Sequence, residues 1–199
     1  MGQRKYLSAS NILFVLLMAA ALVTTVNPVA KSYVIRGLMT VGLFKPNAAD
    51  YHGRSSGKMP DYSYKSSTGT VSTLSQLKNK VVFINYWATW CPPCIAEMPA
   101  INNLYQKFKS NPGVVFIMVD VDNNLPKASS FMNDHGYNLP LYTTLNQFPD
   151  SLLDGTIPTT LIFGTDGRLK YRHTGAAKYD DGKFIDFLNK QITQPGTQQ

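Results

Sequence analysis

The chain has 199 residues, enough for one globular domain with extensions. Its 19 Lys and Arg against 12 Asp and Glu give a net charge of +7. No basic run is interleaved with aromatics, which argues against a nucleic-acid partner; scattered surface lysines, some facing anionic lipid, account for the excess. Two cysteines in all leave no spare structural disulfide.

Arg4 and Lys5 precede an apolar run over residues 12–26, or 11–30 in a generous count, broken only by Thr24 and Thr25. A spanning helix needs about 20 residues, so the run stands between a membrane anchor and a cleaved signal peptide. Pro28-Val29-Ala30 is a poor small-x-small cleavage site, so an uncleaved anchor over residues 1–30 is the favoured reading. The basic residues ahead of the run place the N-terminus in the cytoplasm and the remainder outside it. Cleavage would give a secreted form. Outside the cytoplasm a disulfide persists.

Residues 31–57 read as a spacer and linker. Val34, Ile35, Leu38, Met39 and Phe44 fit a helical stripe, with Lys31, Arg36 and Lys45 around it. Two readings stand: a helix along the membrane surface, or an amphipathic spacer packed on the domain. Residues 46–60, rich in Gly, Ser, Pro and charge, read as a linker. Residues 61–64 then suit an edge strand, 66–69 a turn, 71–74 a short strand and 75–78 a turn of helix.

The most informative stretch follows. Residues 81–87, Val-Val-Phe-Ile-Asn-Tyr-Trp, read as a buried strand. Ile95, Met98, Ile101, Leu104, Tyr105 and Phe108 then recur at helical spacing. Between them stand Cys91 and Cys94, where the strand ends and the helix begins. A helix N-terminus offers unpaired N–H groups and the positive end of the macrodipole, both of which favour the reactive thiolate. Pro92 and Pro93 suit a first helical turn, where no intrahelical N–H bond is lost.

The segment Trp-Ala-Thr-Trp-Cys-Pro-Pro-Cys-Ile-Ala-Glu-Met-Pro resembles the active site of thioredoxin-fold proteins. More narrowly, it is similar to the membrane-anchored, extracytoplasmic TlpA/ResA-like branch. The resemblance covers residues 58–192 and implies an α/β fold: a central mixed β-sheet flanked by helices, behind an N-terminal membrane anchor. The lead-in over residues 61–78 resembles the family's hairpin ahead of the core strand.

Residues 114–119 read as a second buried strand, continuous and apolar as parallel central strands are. With the helix between, the two strands make a βαβ unit. Residues 125–135 read as a helix ending at Gly136. Residues 138–154 are irregular, with 139–142 extended. Residues 159–163 and 169–172 form a hairpin around Asp166-Gly167. A last helix covers 183–192, with Phe184, Phe187, Leu188 and Ile192 on one side, and residues 193–199 form a disordered tail.

The chemistry this pattern suits is thiol–disulfide exchange: a thiolate attacks a substrate disulfide, and a second thiol resolves the mixed disulfide. Cys91, at the exposed end, is assigned as nucleophile, and Cys94, one turn deeper, as resolving thiol. The competing readings are an inert disulfide and half of a zinc site. Zinc needs two more ligands, no further cysteine exists, and His52, His135 and His173 are scattered, so no metal is expected. The expected redox group is the Cys91–Cys94 disulfide itself, without a further cofactor.

Glu97 shares a helix face with Cys94. Partly buried, it would have a raised pKa and relay the resolving thiol's proton; solvent-facing, it would only be held by the macrodipole. The resemblance favours the relay, because the family carries an active-site glutamate at this place. Asn85 stands where thioredoxin has a buried aspartate. Pro158, in Thr-Ile-Pro-Thr, matches the fold's cis-proline, which implies that Ile157 and Pro158 line the site with Pro92 and Pro93. Trp90 shields the cysteines or meets substrate, while Trp87 is core. Pro99 should kink the helix, and Asp120 and Asp122 read as loop or cap residues.

The resemblance implies an oxidoreductase acting on protein thiols and disulfides at the periplasmic side of the inner membrane, fed by a membrane thiol relay. It points to a reductant of specific disulfides, cytochrome c maturation among the family's uses. A disulfide oxidase or isomerase, or a non-catalytic binding or metal-holding module, is the alternative.

Overall fold

The structure, a computed structural model, describes residues 9–44, 59, 61–145 and 154–193. Most of the expected linker over 46–60, part of the irregular 138–154 stretch and all of the tail after residue 193 lie outside the described residues.

Two helices come first, α1 (Ala9–Val26) and α2 (Pro28–Thr40). Asn27 separates them: its side-chain oxygen accepts from Val29 N and Ala30 N and so caps α2, with Pro28 in the first turn. No single helix among the described residues is long and apolar enough to cross a membrane. Together α1 and α2 have the length and composition, and they bend by 102°.

The domain follows: β1 (Ser63–Ser66), β2 (Val71–Thr73), a 3-10 turn (Leu74–Leu77), β3 (Val81–Trp87), α3 (Pro92–Phe108), β4 (Val114–Asp120), α4 (Leu125–Asp134), β5 (Leu141–Thr144), β6 (Thr159–Phe163), β7 (Leu169–Thr174) and α5 (Gly182–Thr193). Among the described residues the strands form one sheet in the order β2-β1-β5-β4-β3-β6-β7. β3, β4 and β5 run parallel; the other neighbours are antiparallel. This is a thioredoxin-like mixed sheet.

β3 is apolar throughout because it is buried on both faces. Phe83 and Trp87 join Met98, Ile101 and Leu104 of α3 and Phe184 and Leu188 of α5 in one core cluster. Val82, Ile84 and Tyr86 point the other way, toward Tyr64, Leu74 and Phe163. The period-2 alternation therefore puts Asn85 on the α3 side.

β1 differs from expectation: it is an interior strand, pairing with β2 on one side and β5 on the other. β5 meets β4 over a short register, so its second edge is open to the hairpin, and β1 fills it. α4 closes as expected at Gly136 (φ 68°), with Tyr137 N donating to Met132 O and Gly136 N to Asn133 O, a Schellman arrangement. α2 packs against α3, with Met39, Ala96 and Ala176 buried together and Ile35 beside them. Of the two readings of this segment, the packed spacer describes its inner face; Tyr33, Val34 and Leu38 remain exposed on the outer one.

Leu104, fully buried in α3, tests this core. Leu104→Ala should lower unfolding stability by about 2–5 kcal/mol, read as a lower denaturant midpoint at unchanged slope.

Candidate active site

The junction between β3 and α3 is built by residues 88–91. Cys91 is the N-cap of α3, with extended backbone (φ −87°, ψ 106°), and Pro92 and Pro93 fill the first turn. The Cys91 sulfur accepts from Cys94 N at 3.3 Å, the position of a capping oxygen in an ordinary helix. Cys91 and Cys94 are joined by a disulfide. Cys94 is fully buried, and Cys91 keeps only 3% of its surface exposed. The exposed end expected for Cys91 is thus nearly covered in the oxidised pair.

Part of that cover is the segment before β6. The Ile157–Pro158 peptide bond is cis, and the Ile157 carbonyl oxygen lies 3.9 Å from the Cys91 sulfur. Ile157 is half-buried and Pro158 buried, as are Pro92 and Pro93 at half depth on the helix side. Trp90 is 52% exposed. Its indole Nε1–H donates to Asp122 Oδ2 at 2.8 Å, which fixes the ring beside the disulfide. Trp87 is core. Asp120 is buried and accepts from Asn124 N and Asp122 N, so of the loop and cap roles expected it takes the loop one, Asn124 being the cap of α4, and burial raises its carboxyl pKa.

Behind the cysteines lies Glu97. It is completely buried, which removes the solvent-facing reading. Oε1 accepts from Asn85 Nδ2 at 2.7 Å, and Oε2 from Ala177 N at 3.1 Å. Asn85 pairs with Thr160 across β3 and β6, and its Nδ2 also donates to Thr160 Oγ1 at 2.9 Å. Among the described residues Asn85 Oδ1 has no hydrogen-bond partner. Burial pushes the Glu97 carboxyl up to about 8, against the opposing pull of its two donors. Tyr179, also fully buried, has its phenol pushed up by burial and by the charge of Glu97. An acid that ionises near neutral pH is suited to proton transfer.

The fold brings together both cysteines, Glu97, Trp90 and the Ile157–Pro158 segment, all of them candidates named from the sequence. Sequence reasoning missed Asp122 as the anchor of Trp90 and the segment at Ala177, whose backbone N–H holds Glu97. A main-chain donor 80 residues away leaves no side-chain signal in a sequence. Among the described residues no group of three or more His, Cys, Asp or Glu is placed to hold a metal ion.

The Redoxin family pattern matches residues 54–184. The chain belongs to the Redoxin family. It is 33% identical over 138 residues to the thiol-disulfide oxidoreductase ResA of Bacillus subtilis strain 168, covering 69% of this chain and 74% of that protein. It is 29% identical over 117 residues to the thioredoxin-like protein YneN of the same organism, covering 58% and 69%. Its fold resembles that of a thiol:disulfide interchange protein DsbE from Chlorobium tepidum, with a TM-score of 0.58 at 24% identity over 68% of this chain and 95% of that one. This Redoxin-family chain is a thioredoxin-like thiol–disulfide oxidoreductase.

The buried carboxyl gives a pH signature. Its folded pKa, about 8, lies above its unfolded value of about 4.5, so between these pH values the folded state binds more protons. The contribution of Glu97 to stability is therefore full below about pH 4.5 and is lost as pH rises to about 8, by about 5 kcal/mol at most. Glu97→Gln should remove this slope in denaturant melts taken from pH 5 to 8. Its amide can donate to the free Asn85 Oδ1 after that side chain turns over. An unchanged slope would mean that Glu97 is not the group responsible.

Proposed function

We propose that this oxidoreductase reduces disulfides of specific proteins on the extracytoplasmic side of the membrane, cytochrome c maturation being the use its resemblance suggests. The carrying observation is the environment of the cysteine pair. Strong oxidants of this class owe their potential to a stabilised reduced form with a low-pKa thiolate. Here both sulfurs are buried, and the carboxyl on the helix face behind Cys94 is fully buried too, so desolvation disfavours a thiolate in this site. That balance leaves the disulfide form favoured and makes the dithiol a good donor.

In the proposed cycle the Cys91 thiolate attacks one sulfur of a protein disulfide. The substrate's other sulfur leaves as a thiolate, and a mixed disulfide forms. Cys94 gives up its proton to the Glu97 carboxylate and attacks Cys91. The substrate's second sulfur leaves and takes up a proton, and the Cys91–Cys94 disulfide remains. Trp90, Pro92, Pro93, Ile157 and Pro158 form the surface that meets the substrate chain. Two electrons from a membrane thiol relay restore the dithiol. The N-terminal segment is read as the anchor: residues 12–18 of α1 are apolar and exposed on every side, a helix surface suited to lipid.

Cys91→Ser should abolish reduction of insulin disulfides, whereas Cys94→Ser should accumulate a covalent mixed disulfide, visible on a non-reducing gel. Retained activity in Cys91→Ser would remove its assignment as nucleophile. Equilibration of the pair with thiol buffers should give a potential near thioredoxin's, about −270 mV; a value near about −120 mV would reverse the direction and make the protein a disulfide donor.

A further inference from the structure

Pro99 lies inside α3. Proline has no N–H, so the carbonyl four residues earlier, that of Ile95, loses its helical donor. Ile95 directly follows Cys94, so the gap falls in the first turns of the helix that carries the redox pair. The structure fills it from outside the domain: Arg36 of α2 donates from Nη2 to Ile95 O at 3.4 Å. The same guanidinium lies 5.2 Å from the centre of the Tyr33 ring, and it opposes the burial that raises the pKa of the Tyr137 phenol, just beyond α4. Beside it Met39 is buried against Ala96 and Ala176. Ala96 precedes Glu97, and Ala176 precedes the N–H that holds the Glu97 carboxyl. α2 thus grips both pieces of backbone that frame the buried acid.

We infer that α2 is part of the redox site and that Arg36 is a positioning residue, supplying to the active-site helix the donor that Pro99 withholds. The inference rests on thiol–disulfide exchange at Cys91 and Cys94 and adds to it an element outside the thioredoxin-like domain. The bond does two things. It holds the turn after Cys94 in place at a part-buried position, and it sets a permanent cation against the backbone carbonyl of the residue that follows Cys94. A cation near a thiol favours the thiolate. Loss of Arg36 should therefore raise the pH at which the thiols become reactive.

The test uses the full chain in detergent, reduced, with alkylation by iodoacetamide followed from pH 5 to 10. Arg36→Ala should slow alkylation at pH 7 by about threefold, through an upward shift of the profile by about half a pK unit. Arg36→Lys, which keeps the charge and a donor, should restore most of the rate. The decisive comparison is with Pro99→Ala, which gives Ile95 O its ordinary partner. In that background Arg36→Ala should have a clearly smaller effect, since with the helical donor restored Ile95 O no longer holds the guanidinium in place and its charge acts on the thiols from further away. An unshifted profile in Arg36→Ala, no restoration by Lys, or additive effects of the two substitutions would overturn the role of Arg36. A parent chain whose cysteines form no reversible disulfide would instead overturn the exchange reaction itself.

Discussion

The structure depends on keeping one carboxyl group away from water. Glu97 is fully buried, and burying an acid is costly unless hydrogen bonds or a proton compensate. Both are provided. Asn85 comes from the centre of the sheet, Ala177 from the segment between β7 and α5, and Thr160 holds Asn85 from the neighbouring strand. Strands β3 and β6, helix α3 and the 176–177 segment therefore converge on two oxygen atoms. Any slip of the β3–β6 register by one residue would turn Asn85 to the opposite face and leave Glu97 without its side-chain donor.

The cysteine pair sits at the other end of this arrangement, under two opposed influences. The helix N-terminus favours negative charge on Cys91, whose sulfur already occupies the capping position. Burial disfavours it. Below about pH 8 Glu97 is largely protonated and does not add to that penalty. In the proposed exchange this balance matters: near neutral pH the carboxyl is mostly neutral, which spares Cys91 a second charge nearby, while its carboxylate form is basic enough to take the Cys94 proton. A solvent-exposed carboxylate, ionised throughout the neutral range, would lack that property.

Much of this was legible in the sequence, for identifiable reasons. β3 and α3 announce themselves because both are long and strongly patterned, one apolar on both faces and the other at helical spacing. The cysteines were visible from their position at the junction, and Asp166-Gly167 from its turn chemistry. The interior position of β1 was not legible, because four residues of mixed polarity say nothing about which edges they pair. The depth of Glu97 was also hidden: a glutamate in an early helical turn looks the same whether it faces solvent or a sheet. Its burial is decided by Asn85, 12 residues earlier, and by a backbone N–H 80 residues later. The docking of α2 was one of two readings, since an apolar stripe specifies a buried face but not what buries it.

Asn85 and Glu97 are best understood as one choice. The resemblance to thioredoxin places an aspartate at 85, yet Asn85 Nδ2 lies 2.7 Å from Glu97 Oε1. Two carboxyls at that distance, both buried, could not ionise together, and one would hold a shared proton to high pH. An amide removes the conflict, because its N–H₂ donates to both the glutamate and Thr160. The pair is left with one ionisable carboxyl, carried by the helix rather than by the strand. Moving the acid from β3 to α3 shifts it onto the helix that carries Cys94 itself, so a movement of the active-site turn moves acid and thiol together.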